Sequence, residues 1–102
     1  MKTLRLAIMC VLLFAAGALY AQSGSLIENP VFQKNCAKCH GKTAEGRHFG
    51  GPSLLSEKTT AAPARDLREI ISNGKHHMPK YDGKLTAEEI ETLVAQIKAA
   101  KK

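Results

Sequence analysis

The residues richest in chemistry stand together: Cys36-Ala37-Lys38-Cys39-His40 places two thiols three positions apart, with an imidazole directly behind the second. Three chemistries use such a set. A redox dithiol cycles between thiols and a disulfide, but such pairs belong where a strand runs into a helix in a thioredoxin-like setting. A tetrahedral zinc site takes thiolates and imidazoles, here Cys36 and Cys39 with His40 or His48 and one of His76 and His77. Zinc ribbons and fingers normally bring a second ligand pair of their own, and the only other cysteine is Cys10. In covalent haem attachment each thiol joins a vinyl group and the next imidazole meets the iron, which is the chemistry served by C-x-x-C-H spacing. Iron held in this way takes its second axial ligand from far along the chain. Met78 is the candidate: it lies in a polar stretch between His77 and Pro79, and proline stiffens the backbone beside its sulfur. The plain reading of a lone methionine is core filling.

The elements that must position these groups read as helices. Asn29 and Pro30 supply an N-cap and a first-turn proline. In the helix they open, Phe32, Cys36 and Cys39 fall at i, i+4 and i+7, so both thiols are expected on one inward face. Gly41 ends it. From Gly41 to Thr60 the chain is rich in glycine and weakly periodic, a long ordered loop anchored by Leu54 and Leu55. Pro63 opens a second helix, Ala64 to Ser72, with Leu67, Ile70 and Ile71 on one side and Asn73-Gly74 at its end. Lys75 to Lys84 is a second loop. Thr86 and Glu89 form a capping box for the last helix. Leu85, Ile90, Leu93, Val94 and Ile97 make its apolar stripe, and Lys98, Lys101 and Lys102 suit its negative end. No strand pattern or repeat is present, so the fold class is all-α.

The chain begins with Lys2 and Arg5, an apolar run from Leu6 to Leu19, and small residues up to Ala21. This is the pattern of a secretory signal over residues 1–21, and the apolar run is shorter than the roughly 20 residues of a membrane span. Cleavage removes Cys10 and leaves no membrane span, whereas a retained signal would tether the protein. Residues 22–28 read as a short polar lead and 29–102 as one domain. The chain has 15 basic and 9 acidic residues, two of the basic ones inside the signal. That mild, scattered excess does not suit nucleic acid, and it does suit acidic protein partners. There is no tryptophan. A domain this small usually relies on a disulfide, metal or cofactor to complete its core.

Four motifs occur in order: Cys36-Ala37-Lys38-Cys39-His40, Gly51-Pro52-Ser53-Leu54, Met78-Pro79-Lys80-Tyr81, and Leu85-Thr86-Ala87-Glu88-Glu89-Ile90. Together they span nearly all of the region after the signal, which resembles the small bacterial class I c-type cytochromes. The resemblance implies three to four helices wrapped around one covalently bound haem c per chain. It implies thioethers from Cys36 and Cys39, His40 as proximal ligand and Met78 as distal ligand. It further implies that the Pro52 carbonyl accepts from the other nitrogen of His40, that Leu54 packs on the haem, and that Phe32 sits where the first and last helices cross. The function implied is a monomeric single-electron carrier, periplasmic or otherwise exported, with no substrate chemistry. Its haem edge near the thioethers would be the electron port. Lys38, Lys42, Lys75 and Lys80 would be candidates to meet acidic docking surfaces on redox partners, although any one of them reads more simply as a solvated charge. One departure is the pair His76-His77 before Met78. Surface histidines are the plain reading, but either imidazole, or less readily His48, could replace the sulfur on iron. The rival functions are a haem-based gas sensor or peroxidase-like protein with a labile sixth ligand, and a zinc-binding structural module.

Overall fold

The computed structural model describes residues 24–100. The signal expected at 1–21, Cys10, and the terminal pair Lys101 and Lys102 therefore lie outside the described residues. Five α-helices follow one another: α1 Pro30–Asn35, α2 Ala37–His40, α3 Glu57–Thr60, α4 Ala64–Asn73 and α5 Ala87–Ala99, preceded by a 3-10 turn at Leu26–Glu28. Among the described residues the only extended pairing is two isolated bridges, Lys75 with Met78 and Asp82 with Leu85. The all-α class stands.

Asn29 caps α1 by accepting from the Val31 amide at 2.9 Å, and Pro30 at the first helical position has no N–H to leave unpaired. The Asn29 amide also donates to Gln96 on α5 at 2.8 Å, and Gln96 donates to the Gly24 carbonyl at 3.0 Å. Leu26, in what reads from sequence as a polar lead, is 3% exposed. The packed core thus begins ahead of Asn29.

The sequence reads as one helix from Pro30 to His40, but the helix is interrupted at Cys36, whose φ is −112°. The interruption breaks the i, i+4, i+7 register. Phe32 is fully buried, Cys36 is half-buried and Cys39 is exposed. The expectation that both thiols point inward therefore fails for Cys39. The long loop after Gly41 also closes earlier than expected, in α3, whose N-cap Ser56 accepts from the Thr59 amide.

The spine is α5. Its capping box is complete: the Glu89 amide donates to Thr86 Oγ1 at 3.1 Å, and the Thr86 amide donates to Glu89 Oε1 at 2.9 Å. Ile90, Leu93, Val94 and Ile97 are all buried. Each such side chain contributes about 1.5–3 kcal/mol by leaving water, so this one stripe carries much of the core. Leu67 and Ile71 of α4 join it, with Ile70 half-buried at the edge. Arg68 on α4 donates to both carboxylate oxygens of Glu91 on α5. Lys98 near the end of α5 donates to the Ala62 carbonyl at 2.6 Å, which holds the start of α4 against it.

Candidate functional site

His40 closes α2 and is 8% exposed. Its Nδ1 lies 2.8 Å from the Pro52 carbonyl oxygen. A carbonyl only accepts, so Nδ1 is the donor and Nε2 keeps its lone pair free for a ligand. The loop can come this close because residue 51 is glycine. A Cβ there would stand 2.7 Å from both Cε1 and Nδ1 of the His40 ring. The loop is also stitched to α2 through its backbone: the Gly51 amide donates to the Cys39 carbonyl and the Gly46 amide to the His40 carbonyl, each at 2.7 Å. Arg47 adds a side-chain bond to the Lys38 carbonyl at 2.8 Å. Ala44, at φ +63°, is fully buried under the loop, and its carbonyl accepts from the Leu54 amide at 2.9 Å.

Cys36 and Cys39 are free thiols. Burial pushes the Cys36 thiol up to about 11, with Cys39 adding to the rise and Lys38 opposing it. A disulfide catalyst needs its nucleophilic thiol pushed the other way. Among the described residues, no three side chains of His, Cys, Asp or Glu gather as a metal site of those ligands would require. The redox-dithiol and zinc chemistries therefore find no support in the geometry.

Met78 is half-buried and packs on the core, whose border also includes Cys36, Leu54, Leu55 and Leu85. Its backbone closes a tight turn, the Met78 amide donating to the Lys75 carbonyl at 3.0 Å and the Lys75 amide to the Met78 carbonyl at 3.2 Å. His76 and His77 occupy the exposed tip, His76 at φ +55°. Gly74, at φ +77°, lets the turn fold back, since a Cβ there would meet the Met78 carbonyl oxygen at 2.6 Å. Tyr81 is buried, and its hydroxyl donates to the Asn35 carbonyl at 2.8 Å. Burial raises the Tyr81 phenol above its ordinary value, and the neighbouring Cys36 and Cys39 add to this.

His40 and Pro52 are thus in direct contact, while Cys36, Leu54 and Met78 border one core. Cys39 stands at the surface, as do Lys38, Lys42, Lys75, Lys80 and His48. Sequence reasoning gave no role to Gly51, Arg47, Ala44 or the Tyr81–Asn35 bond. Tyr81 was within reach as one of only two tyrosines and a member of a quoted motif. Ala44 carries no periodic signal.

Residues 29–97 match the protein family described as cytochrome c oxidase, cbb3-type, subunit III. The chain is 31% identical over 71 residues to cytochrome c6 of Leptolyngbya boryana, covering 66% of this chain and 81% of that one. It is 35% identical over 72 residues to cytochrome c6 of Anabaena variabilis, covering 66% and 80%. Among solved structures, the KustC0563 c-type cytochrome superposes with a TM-score of 0.64 at 22% identity, covering 78% of this chain and all of that one.

Proposed function

The chain belongs to the small class I c-type cytochromes, electron carriers with covalently bound haem c, and from that premise we propose how its own residues hold the haem and where it works. Cys36 and Cys39 would form the two thioethers, and His40 Nε2 and the Met78 sulfur would be the protein's ligands to the iron. The single observation that carries this reading is the His40–Pro52 bond, which leaves Nε2 as the imidazole's only free lone pair, directly behind two free thiols.

The residues present fit such a group. The apolar border of the core includes Leu54, Leu55 and Leu85 beside Cys36 and Met78, which suits a large apolar disc. Bound there, haem c supplies an iron that alternates between ferric and ferrous.

The chain's contribution is positioning. Pro52 fixes the tautomer and the plane of His40, as a carbonyl or carboxylate commonly does for a metal-bound imidazole. Leu54, on the border of the core, would pack against the disc. The Met78 thioether favours the ferrous state and raises the potential relative to a second imidazole. Two ligands held in both oxidation states keep rearrangement small, which fast electron transfer requires. Residues 1–21 export the chain, so it works in the periplasm or an equivalent compartment, as a monomer. Its partners are redox proteins with acidic docking surfaces. No helix among the described residues is long and apolar enough to cross a membrane.

A labile sixth ligand, as in a gas sensor, is the second reading. It is favoured by the Met78 turn, whose tip carries two exposed imidazoles and a strained His76. Redox titration with visible spectroscopy, on protein exported by a host with cytochrome maturation machinery, tests both. The carrier reading expects one reversible one-electron couple and no carbon monoxide binding to the reduced protein at neutral pH. Rapid, complete binding would overturn it.

A further inference from the structure

Phe49 is 100% exposed, the most exposed large apolar side chain among the described residues, the other being Ile27 at 46%. It also holds φ +62°, a backbone region that bulky residues avoid. Two unfavourable features thus coincide on one residue. Leaving a phenylalanine in water forgoes the gain of burying its ring, and the left-handed backbone adds strain. The turn that bears it is nevertheless firmly built. The Gly50 amide donates to the Arg47 carbonyl at 3.0 Å and the Arg47 amide to the Gly51 carbonyl at 3.1 Å. The Gly51–Cys39 and Arg47–Lys38 bonds then tie the turn to the cysteine segment. The His48 ring packs edge-on at 4.3 Å between centroids. Phe49 is therefore a preorganised projection on a turn whose next residues are tied to the Cys39 carbonyl.

Its surroundings are cationic. From residue 30 to residue 50 the chain carries Lys34, Lys38, Lys42 and Arg47 against a single acid, Glu45, and all five are exposed. A shallow groove lined by Gln33, Ala37, Gly41, Lys38, Lys42 and Arg47 runs through this face. From residue 51 to residue 100 the two signs balance, with Arg65 and Arg68 beside Asp66 and Glu69 on α4, and Lys58, Lys75, Lys80, Lys84 and Lys98 set against Glu57, Asp82, Glu88, Glu89 and Glu91. The local excess of positive charge thus falls on the segment that carries the aromatic.

We infer that Phe49 is the apolar anchor of a docking surface for a protein redox partner, entering an apolar recess rimmed by carboxylates that Lys38, Lys42 and Arg47 meet. The inference rests on the electron-carrier reading with acidic partners and adds to it an apolar recess in the partner and the side chain that enters it. Aromatic anchors in a ring of polar contacts carry most of the energy of small interfaces, while charges set encounter and orientation. One ring and a few cations match the small footprint of transient electron-transfer complexes. Stable membrane attachment takes a broad apolar face or a second anchor, which this four-residue turn does not supply.

The test uses the full-length holoprotein and gold electrodes bearing either a pure carboxylate monolayer or a mixed carboxylate and methyl monolayer. Phe49→Asn removes the ring but tolerates the left-handed backbone, and Phe49→Leu retains an apolar group. The asparagine variant should bind the mixed layer at least about tenfold more weakly than wild type, the loss typical of a removed anchor. It should bind the carboxylate layer equally, and the leucine variant should recover most of the loss. Lys38→Gln with Lys42→Gln should weaken both. Equal binding of wild type and Phe49→Asn to the mixed layer overturns the inference. So does Phe49-dependent binding to vesicles containing anionic lipid, which would make the turn a membrane contact. So does protection of the Phe49 ring in the holoprotein from a soluble paramagnetic agent. The haem spectrum and potential of each variant report separately on the carrier reading, because they read the iron and its ligands rather than the contact with the electrode.

Discussion

His40 is held by its side chain and Met78 by its backbone. The imidazole is buried, hydrogen-bonded to Pro52 and closed in by a glycine that admits no Cβ. Its loop returns to α2 through the Cys39 and His40 carbonyls. On the other side, two backbone bonds close the turn at Lys75–Met78, and the half-buried sulfur is placed only by packing. Tyr81 is the main brace, its hydroxyl reaching the Asn35 carbonyl beside Cys36. The contrast suits the proposed iron site, with one permanent and one exchangeable ligand: the denser hydrogen bonding sits where covalent attachment is proposed, and the sparser where the proposed second ligand would arrive.

The sharpest way to break this contrast is Gly51→Ala. The new methyl drives into the His40 ring, and the Pro52 bond must lengthen or break. Overpacking together with a lost hydrogen bond should cost the holoprotein about 3 kcal/mol in guanidinium unfolding. A loss under about 1 kcal/mol would mean that the His40 side is as compliant as the Met78 side. Met78→Ala should cost less, roughly 1–2 kcal/mol for a half-buried side chain. Its main effect should be on chemistry, lowering the potential on the order of 0.1 V and letting the reduced protein bind carbon monoxide. An unchanged potential and spectrum would transfer the ligand role to His77 or His76.

Smaller still is Tyr81→Phe, which deletes the bond to Asn35 and should cost about 1 kcal/mol. Amide exchange should quicken over residues 75–81 and stay unchanged over 41–52. Equal quickening in both segments would mean that the halves are not independently fastened. The smallest effect belongs to Glu91→Gln, an exposed carboxylate of α5 paired with Arg68. The Arg68 hydrogen bond holds the Glu91 carboxyl below its ordinary value of 4.5. Its contribution is therefore fully present above pH 4.5 and is lost as pH falls through the lowered folded value. Variant and wild type should differ slightly near neutrality, converge in acid, and share one redox potential.

Much of this was legible in the linear chain. The Asn29-Pro30 start, the Thr86–Glu89 box and the α5 stripe are local signals, and local signals survive folding because the groups involved are within one or two helical turns. The same holds for the spacing of Cys36, Cys39 and His40. What escaped depended on contacts between distant residues. Cys39 is exposed despite its helical phase, and the buried Leu26 and Ala44 have no pattern to announce them.

The sequence by itself determined the all-α class, the thiol–thiol–imidazole motif and the helix caps, since each depends on residue type and short-range spacing. The resemblance implied a bond from His40 to the Pro52 carbonyl, but only the tertiary structure showed that it is made, from Nδ1 at 2.8 Å, because it depends on a loop folding back over twelve residues. It alone showed the unequal fastening of the two ligand candidates, which comes from where Gly51, Tyr81 and Asn35 meet their partners. It alone also brought Phe49 out into water beside Cys39, because a turn's direction is set by the hydrogen bonds that anchor its ends.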